Sequence, residues 1–331
     1  MSVTVSALRS CVPMAVAAGV LLPACPAHAQ WQPSRNVEIV VPTAAGGSND
    51  VIARVVQKIV QGEKLASVPV NTVNRVGGNQ TLSRVYVNQH PGDAHYLHVD
   101  NPTVIANHVT GITPLHHGDF SPIALLVSEY TVFTVKPDSP LRNARDLVEQ
   151  LKKDPDAVGV GVSNRGGTNH LALSLLAKSA GIDPKRLKVI VFKSNTESAT
   201  AVMGGHLQMS ASAMTSIVSH VAAGRMRIIA VGAPQRSTGL LASVPTLREQ
   251  GYDISLANWR AISGPGGLTP AQIAYWEDTL AKVVATDDWK RALEAQYWDP
   301  SFLRSQEFAK YLDNEYAVTK TLLTELGLVK Q

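Results

Sequence analysis

The chain has 331 residues, of which 45% are hydrophobic and 17% charged, and only two are cysteines. This length exceeds the roughly 250–300 residues at which one core usually divides into domains, and the composition excludes a disordered or fibrous protein. Two cysteines are too few for a disulfide scaffold. A formal net charge of +4 without a run of five or more Lys/Arg argues against nucleic-acid binding.

Residues 1–29 have the pattern of a secretory signal peptide. Arg9 supplies a positive start, 12–22 are apolar, and the small residues at 27–29 form a cleavage site. We therefore expect a periplasmic protein that loses Cys11 and Cys25 with its leader. The leader also weakly resembles a lipoprotein signal, so processing at Cys25 stays open as an alternative.

Strand-like apolar runs alternate with helical periodicity along the chain, which is typical of a parallel α/β sheet. The predicted strands are 37–41, 96–99, 122–127, 131–135, 158–162, 189–192, 207–211 and 228–231. The first predicted helix follows 41–47, with Ser48, Asn49 or Asp50 as its cap. Further helices are predicted at 141–153, 169–180, 197–203 and 215–223. Three more are predicted in the C-terminal third, capped by Thr269, Asp287 and Ser305.

The stretch VPTAAGGSND at 41–50 lies between a predicted strand and a predicted helix. Its glycines allow a tight turn, and the helix start presents unpaired N–H groups and the positive end of a dipole. The loop can therefore hold an anion. It matches neither GxxxxGKS/T nor GxGxxG and contains no lysine, which favours a carboxylate over a triphosphate. A tight turn that binds nothing remains the alternative.

A second junction of the same design is VGVGVSNRGGTN at 158–169, about 120 residues later in the sequence. It again joins a predicted strand, a Gly-Gly turn and a helix start with cap-type residues. Two such junctions, one in each half of the chain, predict the two walls of a binding cleft.

The chain also resembles a known family, on motifs that follow one another from about 37 to 328. These are VPTAAGGSND, NRVGG, PGDAHYLH, SNRGGTNHLA, MGGHLQMS, VPTLREQGY and NWRAISGPGGLTPAQI. In this order they resemble the Bug receptors, the extracytoplasmic solute-binding components of tripartite tricarboxylate transporters. The resemblance implies an α/β fold of the type II periplasmic binding protein kind, with two domains joined by crossing strands and a ligand cleft between them.

The resemblance further implies a small organic carboxylate as ligand, domain closure around it, and delivery to membrane permease subunits. Domain 1 would comprise 30–128 and 257–331, and domain 2 would comprise 129–256. No cofactor and no metal are expected, and a monomer is expected. Carried over residue by residue, the implied ligand-binding residues are Thr43, Ala44, Ala45, Gly46, Gly47, Ser48, Asp50, Asn101, Thr103, Ser163, Arg165, Gly166, Gly167, Thr168, Asn169, Ser194 and Ser212.

Among these, Asp50 should brace its loop, because a carboxylate facing a carboxylate ligand would repel it. Thr43 replaces a residue that is commonly aromatic in the family, and Ser212 replaces a common aspartate. The lost negative charge favours a di- or tricarboxylate. Arg165 and Arg260 are the candidates to pair with a second carboxylate.

The sequence offers three alternatives to this interpretation. His95 and His98, in a histidine-rich stretch, could seed a metal site, but they would lie on opposite faces of a strand. A secreted hydrolase or lyase would need a nucleophile or general base in the cleft, where the sequence supplies Gly, Ser, Thr and Asn. A receptor that presents its ligand to a membrane sensor would use the same binding chemistry, and stays open.

Overall fold

The computed structural model describes residues 1–2, 31–237 and 239–329, so the predicted signal peptide with Cys11 and Cys25 lies outside the described residues. The residues from Trp31 onwards form one compact unit. None of the helices in these ranges combines the length and the apolar character that crossing a membrane requires.

Ten strands of the described residues form one sheet in the order β2-β1-β3-β9-β4-β7-β5-β6, with β8 and β10 also paired to β4. Pairing is parallel among β1, β2 and β3 and among β5, β6 and β7, whereas β9 runs antiparallel to β3 and β4. The strands are β1 (Val37–Val41), β2 (Val70–Asn74), β3 (Tyr96–Asp100), β4 (Phe120–Val135), β5 (Val160–Val162), β6 (Val189–Val191), β7 (Met209–Ala213), β8 (Arg227–Val231), β9 (Ala257–Pro265) and β10 (Asp299–Arg304).

Strand β4 connects the two ends of the sheet. The sequence predicted two strands here, 122–127 and 131–135, because polar residues interrupt the apolar pattern. The structure shows one strand of 16 residues, whose first part pairs with β9 and β10 and whose last part pairs with β7 and β8. Glu129 stays inside the sheet because Arg260 Nη2 donates to its Oε1 at 2.6 Å, so its charge is paired.

The helices cover the sheet and begin mostly near the predicted positions. They are α1 (Ser48–Gly62), α2 (Thr81–Asn88), α3 (Thr103–Val109), α4 (Ala144–Lys153), α5 (Thr168–Ser179), α6 (Asn195–Met203), α7 (Val218–Ala222), α8 (Pro270–Ala285), α9 (Asp287–Gln296) and α10 (Ser305–Glu325). The predicted capping box of Thr269 with Gln272 is present. Three predicted caps are wrong, because Gly47, Thr286 and Arg304 are the N-caps of α1, α9 and α10. The predictions at Asp287 and Ser305 are one residue too late, and the one at 48–50 is one to three residues too late.

Several short or polar elements gave no clear signal in the sequence: β2, β10, α2 and α3. Their apolar patterns are too brief to show a period, and α3 has only 7 residues. Two of them matter below, because the turn before α2 and the start of α3 both reach the candidate site.

The two largest apolar clusters of the described residues lie at the two ends of β4. One packs Ile39 and Leu97 against Trp276 of α8, and the other packs Val160 and Met209 against helices α4 and α5. The C-terminal part of α10 joins them through a cluster of Ala106, Leu171, Leu323 and Leu326. The predicted α/β class is confirmed, whereas the predicted domain boundaries stay a prediction.

Candidate functional site

The two Gly-Gly loops have the same local structure. Gly46 and Gly166 have φ values of +77° and +79°, a left-handed conformation that costs glycine little. The glycine after each, Gly47 or Gly167, is extended and serves as the N-cap of α1 or α5, without a side-chain cap. The predicted caps at 48–50 and at 168–169 are therefore one or more residues too late.

A side chain four residues further on braces each loop from inside its helix. Asp50 Oδ2 accepts the N–H of Gly46 at 2.9 Å, and His170 Nδ1 accepts the N–H of Gly166 at 2.9 Å. Burial opposes the charged form of Asp50, but hydrogen bonds from Arg54, the Gly46 amide and Asn74 outweigh it and lower the Asp50 pKa.

The next amides in each loop remain available to a ligand. The first helical bonds of α1 run from the N–H groups of Asp50 and Val51 to Gly47 O, and that of α5 runs from Leu171 to Gly167 O. The N–H groups at 48–49 and at 168–170 precede these bonds and have no partner inside their helices. They can donate to an anion, whereas the predicted donors at Gly46 and Gly166 are already occupied by Asp50 and His170.

Both helix starts border one polar cavity, and α6 adds a third. The lining residues are Thr43, Gly47, Ser48, Asn49, Gln80, Asn101, Thr103, Ser163, Asn164, Thr168, Asn169, Ser194, Asn195, Asn258 and Arg260. Ser194 is the N-cap of α6, where its Oγ accepts the N–H of Glu197. Three helix dipoles thus direct their positive ends at one place, which favours a negative charge there.

The structure brings nine of the predicted ligand-binding residues to this cavity: Thr43, Gly47, Ser48, Asn101, Thr103, Ser163, Thr168, Asn169 and Ser194. The other eight predicted residues do not line it: Ala44, Ala45, Gly46, Asp50, Arg165, Gly166, Gly167 and Ser212. Arg165 is exposed. Ser212 is buried against Ser210, with their hydroxyl oxygens in hydrogen-bond contact.

Five lining residues were not predicted: Asn49, Gln80, Asn164, Asn195 and Asn258. Asn49 could have been found, because it holds the same place after its Gly-Gly pair as Asn169 does in the second loop. Gln80 has a φ of +74°, which the sequence did not indicate. Asn258 reaches the cavity from β9, where the sequence indicated only a crossing strand without naming this residue.

Hydrogen bonds between side chains fix the cavity wall. Thr131 donates to Asn169 Oδ1 at 2.8 Å, and Asn101 Nδ2 donates to Gln80 Oε1 at 2.8 Å. The Thr103 amide donates to Asn101 Oδ1 at 2.9 Å. The wall is therefore organised before any ligand arrives, which reduces the ordering cost of binding.

Three buried polar atoms of the lining have no partner among the described residues: Thr43 Oγ1, Asn49 Oδ1 and Arg260 Nε. These side chains are 3–5% exposed. An unsatisfied buried polar group costs about 1–3 kcal/mol, so each is explained best by a bound water or ligand. Among the described lining residues Arg260 alone is charged.

The two walls of the cleft touch each other directly. Ser48 Oγ lies 2.8 Å from Ser216 Oγ, and Thr196 Oγ1 donates to Gly46 O at 3.0 Å. Asn79 bonds both the carbonyl and the amide of Arg165, at 3.1 and 3.3 Å. The structure therefore shows a closed cleft.

The space inside the closed cleft is small. The centre of a water-sized sphere can reach about 20 Å³ of it, which is room for about one water molecule. A larger groove of about 590 Å³ by the same measure lies between Lys136, Glu149 and Gln208. That groove contains no predicted residue and no helix start of the kind described here, so we assign the binding chemistry to the smaller cavity. An organic acid can enter it only if the walls separate.

Ser83, His98 and Asp100 have the contacts of a catalytic triad, although they lie behind the cavity. Ser83 Oγ is 2.9 Å from His98 Nε2, and His98 Nδ1 is 2.8 Å from Asp100 Oδ1. All three are at most 3% exposed, so no substrate can reach the serine. Ser83 also donates to Gln80 O at 2.9 Å, so the three residues support the cavity wall.

Comparison with known proteins agrees with this geometry. Residues 52–328 match the model of the tripartite tricarboxylate transporter family receptor. A UPF0065 protein from the gbd 5'region of Cupriavidus necator is 27% identical over 319 residues, which covers 96% of this chain and 95% of the relative.

Two solved structures have a similar fold. The periplasmic binding protein BugD has a TM-score of 0.82 at 20% identity, covering 90% of this chain and 100% of its own. MatC from Rhodopseudomonas palustris, with bound malate, has a TM-score of 0.78 at 20% identity, covering 88% and 99%. The predicted type II periplasmic binding protein-like fold is confirmed.

Proposed function

The chain belongs to the receptor family of tripartite tricarboxylate transporters, a class of periplasmic solute receptors and not of enzymes, and we propose that it captures a small organic carboxylate by closure of its cleft. The family assignment agrees with the sequence resemblance to the Bug receptors. The ligand, the closure and the delivery step are what the proposal adds.

The observation that carries the proposal is the set of donors that converge on one cavity. Helices α1, α5 and α6 point their N-termini at it, and the other lining side chains are hydroxyls and amides together with the guanidinium of Arg260. Such fixed dipoles stabilise an anion without a mobile cation. Three buried polar atoms of the lining have no partner among the described residues, which favours a bound ligand or water at the same place.

Closure is the second part of the proposal. The closed cleft has room for about one water, so an acid must bind to a more open form and then be enclosed as the walls meet. Bonds such as Ser48 to Ser216 and Asn79 to Arg165 would then stabilise the closed complex. MatC is bound to malate, and that dicarboxylate supports an organic acid as ligand here as well.

Delivery to permease subunits of a tripartite transporter is proposed from the family to which the chain belongs. Secretion to the periplasm through a cleaved leader is proposed from the pattern at 1–29. A receptor that addressed a sensor would bind the same ligand, so vesicles containing the permease would distinguish the two by uptake that depends on this protein.

The test is a thermal-shift screen of the purified protein against mono-, di- and tricarboxylates, each paired with its uncharged amide. An acid at 100 times its Kd should stabilise the protein by about 2.7 kcal/mol, which is about 4 °C for a chain of this size. The amides should have no effect. If no acid shifts the melting temperature, or if acids and amides shift it equally, the proposal fails.

A further inference from the structure

Arg260 is the one charged side chain that reaches the cavity from the crossing strand β9. It is 3% exposed and lies opposite Val127 of β4 in the sheet register. A guanidinium this deeply buried is unusual unless its donors are used, so each of its five N–H groups requires a partner.

The donors of Arg260 are only partly used. Nη1 donates to Asn258 Oδ1 at 2.8 Å and to the carbonyls of Asn258 and Trp259 at 3.1 and 2.9 Å. Nη2, which carries two hydrogens, donates to Glu129 Oε1 at 2.6 Å. Within the described part of the chain, Nε has no acceptor. The Nε–H group and one hydrogen of Nη2, two nitrogens that share one edge of the guanidinium, are therefore left without an acceptor among the described residues.

Glu129 holds this guanidinium in place from outside the cavity. It is 1% exposed and does not line the cavity, and its Oε2 accepts from Thr215 Oγ1 at 2.9 Å. Trp298 Nε1 in turn donates to Thr215 Oγ1 at 2.7 Å. This chain of bonds fixes the plane of the guanidinium, so its free edge is oriented before a ligand arrives.

We infer that Arg260 is a specificity-determining residue that binds a second carboxylate of the ligand side-on, through Nε and Nη2. The inference rests on the proposed function, in which the amides at the starts of α1 and α5 hold the first carboxylate. Two parallel N–H groups match the two oxygens of a carboxylate, a geometry that a hydroxyl or a single carbonyl cannot use fully. The ligand class is therefore a short dicarboxylate, and Arg260 rather than the exposed Arg165 binds its second carboxylate.

The test compares dicarboxylates of three to six carbons with their monoamides, in which one carboxylate becomes an uncharged amide of equal size. Calorimetry gives the ratio of the two Kd values for the pair that binds most tightly. For the wild-type protein we expect the dicarboxylate to bind about 10- to 100-fold more tightly, as for a charge-assisted pair. In the Arg260→Gln/Glu129→Gln variant, which leaves no unpaired buried charge, the ratio should fall below about 3-fold.

Two control variants keep the assignment specific. Glu129→Gln alone retains the guanidinium edge and should retain most of the preference, and Arg165→Gln removes an exposed charge and should leave the ratio unchanged. A preference that survives in the double variant, or one that is lost in Arg165→Gln, overturns the inference. Circular dichroism of each variant reports whether it is folded.

If the double variant does not fold, a crystal structure of the wild-type protein with succinate decides. Carboxylate oxygens within about 3.2 Å of Arg260 Nε and Nη2 support the inference, and a carboxylate placed elsewhere overturns it. Wild-type protein that binds dicarboxylates and monoamides equally refutes this inference but leaves the proposed function standing. Wild-type protein that binds no acid refutes the proposed function itself.

Discussion

The brace of the second loop makes the stability of the protein depend on pH. His170 is 2% exposed, and its Nδ1 accepts the Gly166 N–H at 2.9 Å. A protonated ring has no lone pair for that bond, so the loop requires the neutral form. Burial, assisted by the charge of Arg165, lowers the His170 pKa from 6.5 to about 4.

The lowered pKa of His170 sets both the sign and the size of the pH effect on stability. Below pH 6.5 the unfolded chain takes up a proton at position 170, whereas the folded protein does not until about pH 4. The stabilisation is therefore complete above pH 6.5 and is lost as the pH falls towards 4. A pKa lowered to that extent corresponds to about 3 kcal/mol of unfolding free energy between pH 7 and pH 4.

The matched variant is His170→Asn, which offers an amide oxygen to the Gly166 N–H as Asp50 offers its carboxylate to Gly46. Urea unfolding, followed by tryptophan fluorescence at pH 7, 6, 5 and 4, gives the free energy of each protein. The wild type should lose about 3 kcal/mol more than the variant across this range. Equal losses, or a His170 that titrates near pH 6.5 in an NMR experiment, would show that the ring is not the buried acceptor described here.

The remaining predictions concern the first loop, the closure contact and the two glycines. Asp50→Asn should cost about 1–3 kcal/mol in urea unfolding at pH 7. The difference from wild type should shrink below pH 3.8, since the stabilisation that comes from the lowered Asp50 pKa is complete above that value and is lost as the pH falls below it. Asn79→Ala should raise the Kd of the bound acid about 5-fold, because two hydrogen bonds across the closed cleft are lost. Stopped-flow traces should show that faster dissociation causes most of this rise. An unchanged dissociation rate would contradict the role of Asn79 in closure. Gly166→Ala should lower the free energy of unfolding by about 1 kcal/mol, because the φ of +79° is strained for alanine. Gly167→Ala should abolish binding instead, because its Cβ would lie 1.9 Å from Asn164 Nδ2 in the cavity wall. Calorimetry that finds Gly166→Ala the poorer binder of the two would reverse this assignment.

Local signals in the sequence were sufficient to predict the two Gly-Gly loops. A strand, a Gly-Gly pair and a helix start within about ten residues define a turn whose amides point outward, and both such loops border the cavity. The exact caps were wrong, because side chains at Ser48 and Thr168 were read as caps where the preceding glycines take that position. The available donors begin two residues later than predicted, at Ser48 and Thr168, because Asp50 and His170 occupy the amides of Gly46 and Gly166.

Partners distant in the sequence decided the rest of the site. The sequence placed Arg165 among the ligand-binding residues and left Arg260 as a weaker candidate, because the burial of a charge depends on whether another part of the chain neutralises it. Arg260 is buried because Glu129, 131 residues away, accepts from it, whereas Arg165 is exposed and bonds to Asn79 of the opposite wall through its backbone. Gln80 likewise reaches the cavity through an unusual backbone conformation that its neighbours in sequence did not indicate.

The sequence by itself therefore determined the α/β class and the two glycine loops, because strand and helix periodicity and turn geometry are properties of a few consecutive residues. Only the tertiary structure decided that the loops face one another, that β4 continues through Glu129, and that Arg260 enters the cavity. Those features depend on which distant groups satisfy each buried charge and amide, and no local pattern encodes that choice.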